Sequence, residues 1–476
     1  MLFVWIYSFA QAHLLYHFIL YQKKPSTPEK KNWEEWPFVT VQLPVYNEKY
    51  VVDRLLSAVA KINYPSEKLE IQVLDDSTDE TQNIIKDKIG KVSPHLDIQY
   101  IHRKDRVGFK AGALKNGLES AKGEFIAVFD ADFMPDPEFL RKTLPYFSTP
   151  SVGMVQSRWT HLNKDYSILT KLQAFALDAH FLVEQIGRNR QQAFINFNGT
   201  GGVWRKRCIL DAGNWQDDTL TEDLDLSYRA QQKGWKFIYR PEIESPAELP
   251  PIMSAIKSQQ FRWTKGGAEC AVKHFREVCK KPFPFWIKFH AMAHLFNSVL
   301  FIAILVGSVS SIPLWWARRV GFVDPYYFKF GSIFMIGFVV IALVYSLAFF
   351  FNRGSFWGKF LSLLWQLPLF LSVSMGLALH NALAVWQGLR GKRTAFVRTP
   401  KFNLEIIGNS WQNNRYIHSN ISWTTIFEGG LAVVFLIISG VSLYEKTFEM
   451  LPFHLMLALG YGIVFYTSFK STLKHT

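Results

Sequence analysis

The sequence predicts an α/β domain with a mostly parallel sheet, inserted between an N-terminal transmembrane helix and a C-terminal α-helical membrane domain. Three observations carry that expectation. Short β-type runs alternate with helical patterns from residue 38 onward. Charged residues concentrate between about 23 and 290, whereas the long apolar runs lie outside that span. The composition is mixed, with 49% hydrophobic and 16% aromatic residues against 19% charged. That is too apolar for a typical soluble enzyme and too charged for a pure membrane bundle. A chain of 476 residues has room for two or three units. The expected boundaries are 1–22, 36–275 and 284–476.

Residues 2–21 are an apolar run closed by Lys23 and Lys24. No small-residue cleavage site follows, so a retained anchor is expected rather than a removed signal. The lysine pair assigns the domain that follows to the cytoplasm. Further spans are expected at 291–315, 328–351, 425–443 and 451–469. Between 356 and 389 an apolar run holding Pro368 gives way to a half containing Ser374, His380, Asn381 and Gln387. The loop 352–358 before it and the basic stretch 390–401 after it both belong inside. A single crossing is therefore excluded; a hairpin or an in-plane amphipathic helix remains, the latter preferred for the second half. The acidic loop around Glu445 and Glu449 then falls outside, and Lys470 and Lys474 inside. The chain reads as a multi-pass protein of the cytoplasmic membrane, with five spans plus this segment.

The net charge of +14 comes without an RNA- or DNA-binding signature, so nucleic acid is not expected as a partner. Much of the basic excess flanks apolar segments, where it orients the chain and attracts anionic membrane lipids. Cys208, Cys270 and Cys279 have no metal-ligand spacing and form no disulfide framework, which fits a reducing compartment.

Within the polar domain, residues 39–43, 70–74, 98–102 and 124–129 read as buried strands. Helical patterns follow at 49–60, 78–88, 110–121 and 137–146. The last has Asp136 as N-cap and Pro137 at the first helical position. In such a sheet ligands bind at the carboxyl ends of the strands, and chemistry-bearing residues stand there. Asp75 and Asp76 close the second strand, where a carboxylate accepts hydrogen bonds from a base or ribose, or caps the next helix. Asp130 and Asp132 follow the apolar run 125–129, and two carboxylates leaving a buried strand can converge on a hard divalent cation. Such an ion, Mg2+ or Mn2+, would bridge diphosphate oxygens. In LTEDLDL, Glu222, Asp223 and Asp225 each offer the single base that sugar transfer with inversion needs, and spacing does not choose among them. In QQFRW at 259–263, Gln259, Arg262 and Trp263 share one helical face, with a guanidinium for phosphate and an indole for a sugar ring.

In this order the motifs resemble those of the family-two inverting glycosyltransferases, in particular the membrane-integrated branch of cellulose, mannan and hyaluronan synthases. The matching strings are PVYNE at 44–48, DDSTD at 75–79, KAGAL at 110–114, DAD at 130–132, TED at 221–223 and QQFRW at 259–263. The resemblance implies a GT-A-type domain. It also implies donor contacts from Pro44, Tyr46, Glu48, Asp76, Lys110, Asp130, Asp132, Gln259 and Arg262, with Tyr46 and Asp76 at the uracil or guanine nucleoside and Lys110 at the diphosphate. Asp130 and Asp132 would hold the metal, Asp132 more directly, and Asp223 would be the general base. The segment NFNGTGGVWR at 196–205 resembles the acceptor segment of mannan and glucomannan synthases, implying acceptor contacts from Asn198, Gly199 and Thr200, with Glu222 and Trp263. AFVRTPK at 395–401 resembles the gating loop of cellulose synthases; Phe396, Thr399 and Lys401 match, and Arg398 replaces a valine. A cyclic-dinucleotide-binding domain is not expected.

The function expected is inverting transfer of a hexose from a nucleotide diphosphate sugar, UDP-glucose or GDP-mannose, to a growing β-linked polysaccharide, processively and with export through the chain's own helices. The alternatives are a lipid glycosyltransferase that adds one sugar to ceramide or diacylglycerol, and a catalytically dead membrane scaffold.

Overall fold

The computed structural model describes residues 2–24, 28–92, 95–324, 326, 335–351, 355–403, 416 and 421–473. Its centre is a seven-stranded sheet in the order β3-β2-β1-β4-β6-β5-β7. Strands β1 (Val39–Val45), β2 (Leu69–Asp75), β3 (Asp97–His102) and β4 (Phe125–Val128) run parallel. β6 (Gly202–Arg205) is antiparallel to both β4 and β5 (Val152–His161), and β7 (Lys236–Ala247) is parallel to β5.

Alternation along β1 explains its place at the middle of the sheet. Val39, Val41 and Leu43 enter one core with Val73, Phe129 and Phe139. Thr40 and Gln42 point the other way, fully buried, and bond to neighbours on β2: Thr40 donates to Glu70 at 2.6 Å and the Gln42 amide nitrogen to Gln72 at 3.0 Å. Helices α2 (Val52–Val59), α3 (Thr81–Lys91) and α4 (Phe109–Ser120) fall in the expected connections. The helix expected at 137–146 is shorter. Asp136 accepts the Glu138 amide at 2.7 Å and its carbonyl accepts the Phe139 amide, so the turn precedes a helix α5 of only Phe139–Thr143.

A second core on the opposite face joins Leu114, Ile126, Met154 and Trp204 to Phe18 and Val344 of the flanking helices. The domain and its N-terminal helix α1 (Leu2–Lys23) are therefore packed together. α6 (Ile168–Ala179) runs through a π-helical turn at His180–Glu184 into α7 (Gln185–Arg190). α8 (Lys206–Asp211) and α9 (Glu222–Gln232) precede β7, and the long α10 (Met253–Lys280) follows it.

The expected span at 291–315 is displaced. α11 (Phe285–Leu295) ends before a turn at 296–298 and packs on the polar domain, where Tyr228 donates to the Ala291 carbonyl. The apolar helix is α12 (Val299–Arg319). It is followed by α13 (Met335–Phe351), α14 (Phe356–Gly376), α15 (Ala378–Leu389), α16 (Trp423–Tyr444) and α17 (Leu451–Leu473). Among the described residues, five helices are long and apolar enough to cross a membrane: α1, α12, α14, α16 and α17. The described part of α13 is shorter; residues 328–334 and 352–354 and Lys474 lie outside the described residues. The segment 356–389 forms two consecutive helices that meet at Leu377.

Candidate active site

One cleft opens at the carboxyl ends of β1, β2 and β4. Pro44, Tyr46 and Glu48 reach it from β1, Asp76 from β2, and Asp130 and Asp132 from β4. Lys110 enters from the first turn of α4, Glu222 and Asp223 from the first turn of α9, and Gln259, Arg262 and Trp263 from one face of α10. Asn198 and Gly199 line it from the approach to β6, and Phe396, Arg398, Thr399 and Lys401 from the segment after α15. Thr200 is the exception. It is fully buried beneath the cleft, where its hydroxyl accepts the Asp130 amide at 2.9 Å, so the side chain supports the DAD turn instead of facing an acceptor.

At one end the Arg106 guanidinium lies 3.4 Å from the centre of the Tyr46 ring. Arg103 grips both oxygens of Asp76, at 2.7 and 2.5 Å. Asp75 is turned away, fully buried, and accepts from Tyr100 at 2.7 Å.

The carboxylates in the middle differ in their partners. Asp130 pairs with Lys110 at 2.6 Å, and Lys110 also donates to the Gly199 carbonyl at 2.9 Å. Burial would lower the Lys110 pKa, but Asp130 and Glu222 outweigh it and hold the ammonium above its usual value. Asp132 pairs through one oxygen with Lys401 at 2.6 Å, while its buried Oδ1 has no hydrogen-bond partner. Asp225 faces elsewhere, bound to His274 at 2.8 Å, Lys273 at 2.8 Å and Arg229 at 2.7 Å. That geometry removes Asp225 from the three acids the spacing left open. Glu222 sits 3.8 Å from Lys110. Asp223 has no ion-pair partner among the described residues; its Oδ1 accepts only the Leu224 amide, at 2.9 Å. Burial and the neighbouring Glu222 push Asp223 up to about 7.

Gly199 fixes the floor. Its φ of +80° is left-handed, and a Cβ there would stand 3.1 Å from Asp223 Oδ2 and 3.4 Å from Lys110 Nζ. Gly266 does the same for α10, since a Cβ would come within 2.5 Å of the Thr221 side chain; its absence lets the QQFRW helix press against the start of α9. Segment 396–401 closes the cleft. Arg262 donates to Thr399 at 2.7 Å and lies 4.6 Å from the Phe396 ring, and Arg398 pairs with Glu48 at 2.8 Å. Burial raises Glu48 to about 7 against the opposing pull of Arg398 and Lys401.

Residues 37–266 match the model of a family described as glycosyltransferase like family 2. That stretch is similar to the family-two glycosyltransferases. Glucomannan 4-beta-mannosyltransferase 2 of Arabidopsis thaliana is 40% identical over 275 residues, which are 56% of this chain and 52% of that protein. Probable glucomannan 4-beta-mannosyltransferase 7 of Oryza sativa subsp. japonica is 46% identical over 246 residues, 50% of this chain and 42% of that protein. The chain thus spans about half the length of the curated relatives it matches. A solved mannosyltransferase from Pyrobaculum calidifontis, in complex with GDP-Man and Mn2+, aligns over 82% of this chain and 99% of its own, with a TM-score of 0.55 and 20% identity. Its likeness shows a shared GT-A-type fold.

Several residues in and beside the cleft were missed by sequence reasoning. Arg103 and Arg106 belong to the basic run just before KAGAL, a signal that was available. Trp159 and His161, at the polar end of β5, and Leu177 of α6 also line the cleft. His161 is buried and neither ring nitrogen makes a hydrogen bond; burial, then Arg158, lowers its pKa to about 3, so the imidazole is neutral. Nothing in the local pattern marked it.

Proposed function

We propose that this chain is an inverting, metal-dependent hexosyltransferase that moves a hexose, mannose from GDP-mannose in the first instance, onto the end of a β-linked polysaccharide at the membrane surface. The observation that carries the reading is the setting of Asp223: Asp76, Asp130, Asp132, Glu48 and Glu222 each form an ion pair, whereas Asp223 forms none among the described residues, is reached by Lys110 only beyond ion-pair distance, and holds its proton more tightly than an ordinary aspartate. Asp223 accepts the proton of the acceptor hydroxyl as the acceptor oxygen bonds to the anomeric carbon and the carbon–oxygen bond to the diphosphate breaks. Tyr46, Arg106 and Asp76 hold the nucleoside. Lys110 and Arg262 bear on the diphosphate, where positive charge stabilises the leaving group. Trp263, Asn198 and Gly199 place the acceptor terminus, and Phe396, Arg398, Thr399 and Lys401 close over the donor.

The residues fit a divalent cation. Asp132 keeps a buried, unpartnered oxygen beside Asp130, and among the described residues no group of three or more His, Cys, Asp or Glu could hold an ion alone. Two carboxylates with donor phosphate and water suit a hard ion such as Mg2+ or Mn2+. When bound, the ion supplies charge neutralisation for the departing diphosphate. The relatives named for glucomannan mannosyl transfer and the GDP-Man and Mn2+ of the structural neighbour support the choice of donor and metal.

The catalytic domain faces the cytoplasm in this reading. α14 begins beside the end of α13, where Lys359 donates to the Phe350 carbonyl, and ends with Leu377 packed near Met253 and Ile256 of α10. A helix with both ends on the catalytic side lies along the membrane surface. Incubation of the purified chain with labelled GDP-mannose and UDP-glucose tests the product. An ethanol-insoluble glycan cleaved by β-mannanase is expected, and a chloroform-soluble monoglycoside as the sole product would contradict the polymer reading.

A further inference from the structure

A second cavity, of about 510 Å³, lies among the membrane helices and is bounded by α1, α6, α10, α12, α13, α14, α15 and α17. The space is partly open at its boundary and has the size and apolar lining of a small-molecule site. Its walls are hydrocarbon: Leu172, Ile256, Phe301, Ile304, Ile341 and Phe370 face it from five helices. A glycan carries hydroxyls on every ring and would leave most of them without partners here. A hydrocarbon chain has nothing to lose.

One polar group on the wall is conspicuous for lacking a partner. Asn381 of α15 is fully buried, lines the cavity, and neither its amide oxygen nor its amide nitrogen makes a hydrogen bond. The Ser8 hydroxyl of α1, also buried, lines the same space unpartnered. Buried amides are nearly always satisfied, and an amide offers both a donor and an acceptor. Asn381 stands next to His380, which contacts the Lys257 carbonyl on α10, so the Asn381 end of the cavity lies beside the first turns of α10. That is the level at which a lipid's polar group sits. Gln260 lines the cavity while Gln259 lines the cleft, and Gln173 and Leu177 divide in the same way on α6. The two spaces therefore share α6 and α10 as walls.

We propose that this cavity binds one acyl chain of a bilayer glycerophospholipid, with the ester group hydrogen-bonded to Asn381 and the chain lying between α6, α12 and α14. The bound chain seals the membrane side of the acceptor end of the cleft. This assignment rests on the membrane reading of the helices and not on the transfer chemistry.

The test uses the full chain reconstituted in phosphatidylcholine vesicles containing a phosphatidylcholine with a diazirine-bearing acyl chain. After irradiation, adducts are mapped by peptide mass spectrometry. Label is expected within 169–176 and 300–307 as well as on the outward Val433, Leu436 and Ile437 of α16. A Cβ at Gly307 meets nothing within 4 Å, so Gly307→Phe fills the cavity without a backbone clash, and Ala303→Phe enters from the adjacent turn. Each should cut cavity label at least fivefold and leave the α16 label unchanged, which also reports that the variant is folded. Asn381→Leu should cut cavity label severalfold. Cavity label equal to the parent's in both filled variants would overturn the proposal. So would capture of the growing glycan at 300–307 when a photoreactive donor sugar replaces the lipid probe.

Discussion

Asp223 titrates in an unusual range because burial and Glu222 both oppose its charge, pushing it up to about 7. A general base works ionised, so kcat/KM should fall about tenfold per pH unit below that value and level off above it. The stability effect has the opposite sign. Between about pH 4 and 7 the folded chain binds more protons at this site than the unfolded chain, so ionising Asp223 lowers stability as pH rises through the window. Asp223→Asn should therefore melt higher than the parent above pH 7 while losing transfer, and thermal denaturation at pH 5 and 8 checks the pair. At Lys401 the test is binding. Its ammonium occupies one oxygen of Asp132, so Lys401→Met should bind Mn2+ more tightly without donor, by calorimetry, yet turn over more slowly. The acids themselves were legible in the sequence, because strand ends and helix starts place them. Their partners were not: Lys401 is 269 residues from Asp132, and no local pattern records such a pairing.

Helix α10 ties the chemistry to the membrane. Its first turns bring Lys257 against Glu428 of α16 at 2.6 Å, with side chains 9% and 0% exposed. Removing one partner leaves an uncompensated buried charge, so Lys257→Met should cost about 3–5 kcal/mol, and adding Glu428→Leu should recover most of it. Detergent-solubilised melting curves of the single and double variants measure this. Further along, Gly266→Val should force α10 off Thr221 at a cost of about 1–3 kcal/mol. The QQFRW face was readable from helical spacing. The first four strands were readable from apolar runs, but β5, β6 and β7 were not. β6 is four residues long, β7 carries Pro241 and Pro246, and β5 turns polar in its second half.

For the whole molecule, the membrane arrangement follows from charge and contact. Arg318 and Arg319 end α12 and look like a cytoplasmic marker, yet they pair with Glu449 and Glu445, so the two loops share one side. Glu449→Cys should react with a membrane-impermeant maleimide from the side opposite to the exposed Cys279, which follows the catalytic domain. The displaced start of α12 and the break at Leu377 were not legible, because apolar composition alone does not separate a helix packed on the domain from one in lipid. What holds the molecule together as an enzyme is the claim that Asp223, on the domain, supplies the base at that membrane-facing cleft. Single-turnover transfer from labelled GDP-mannose by Asp223→Asn, with donor affinity measured separately, tests this most directly. A fall of about 10²–10⁴-fold in the transfer rate with donor binding kept is predicted. Transfer at the parental rate would contradict it.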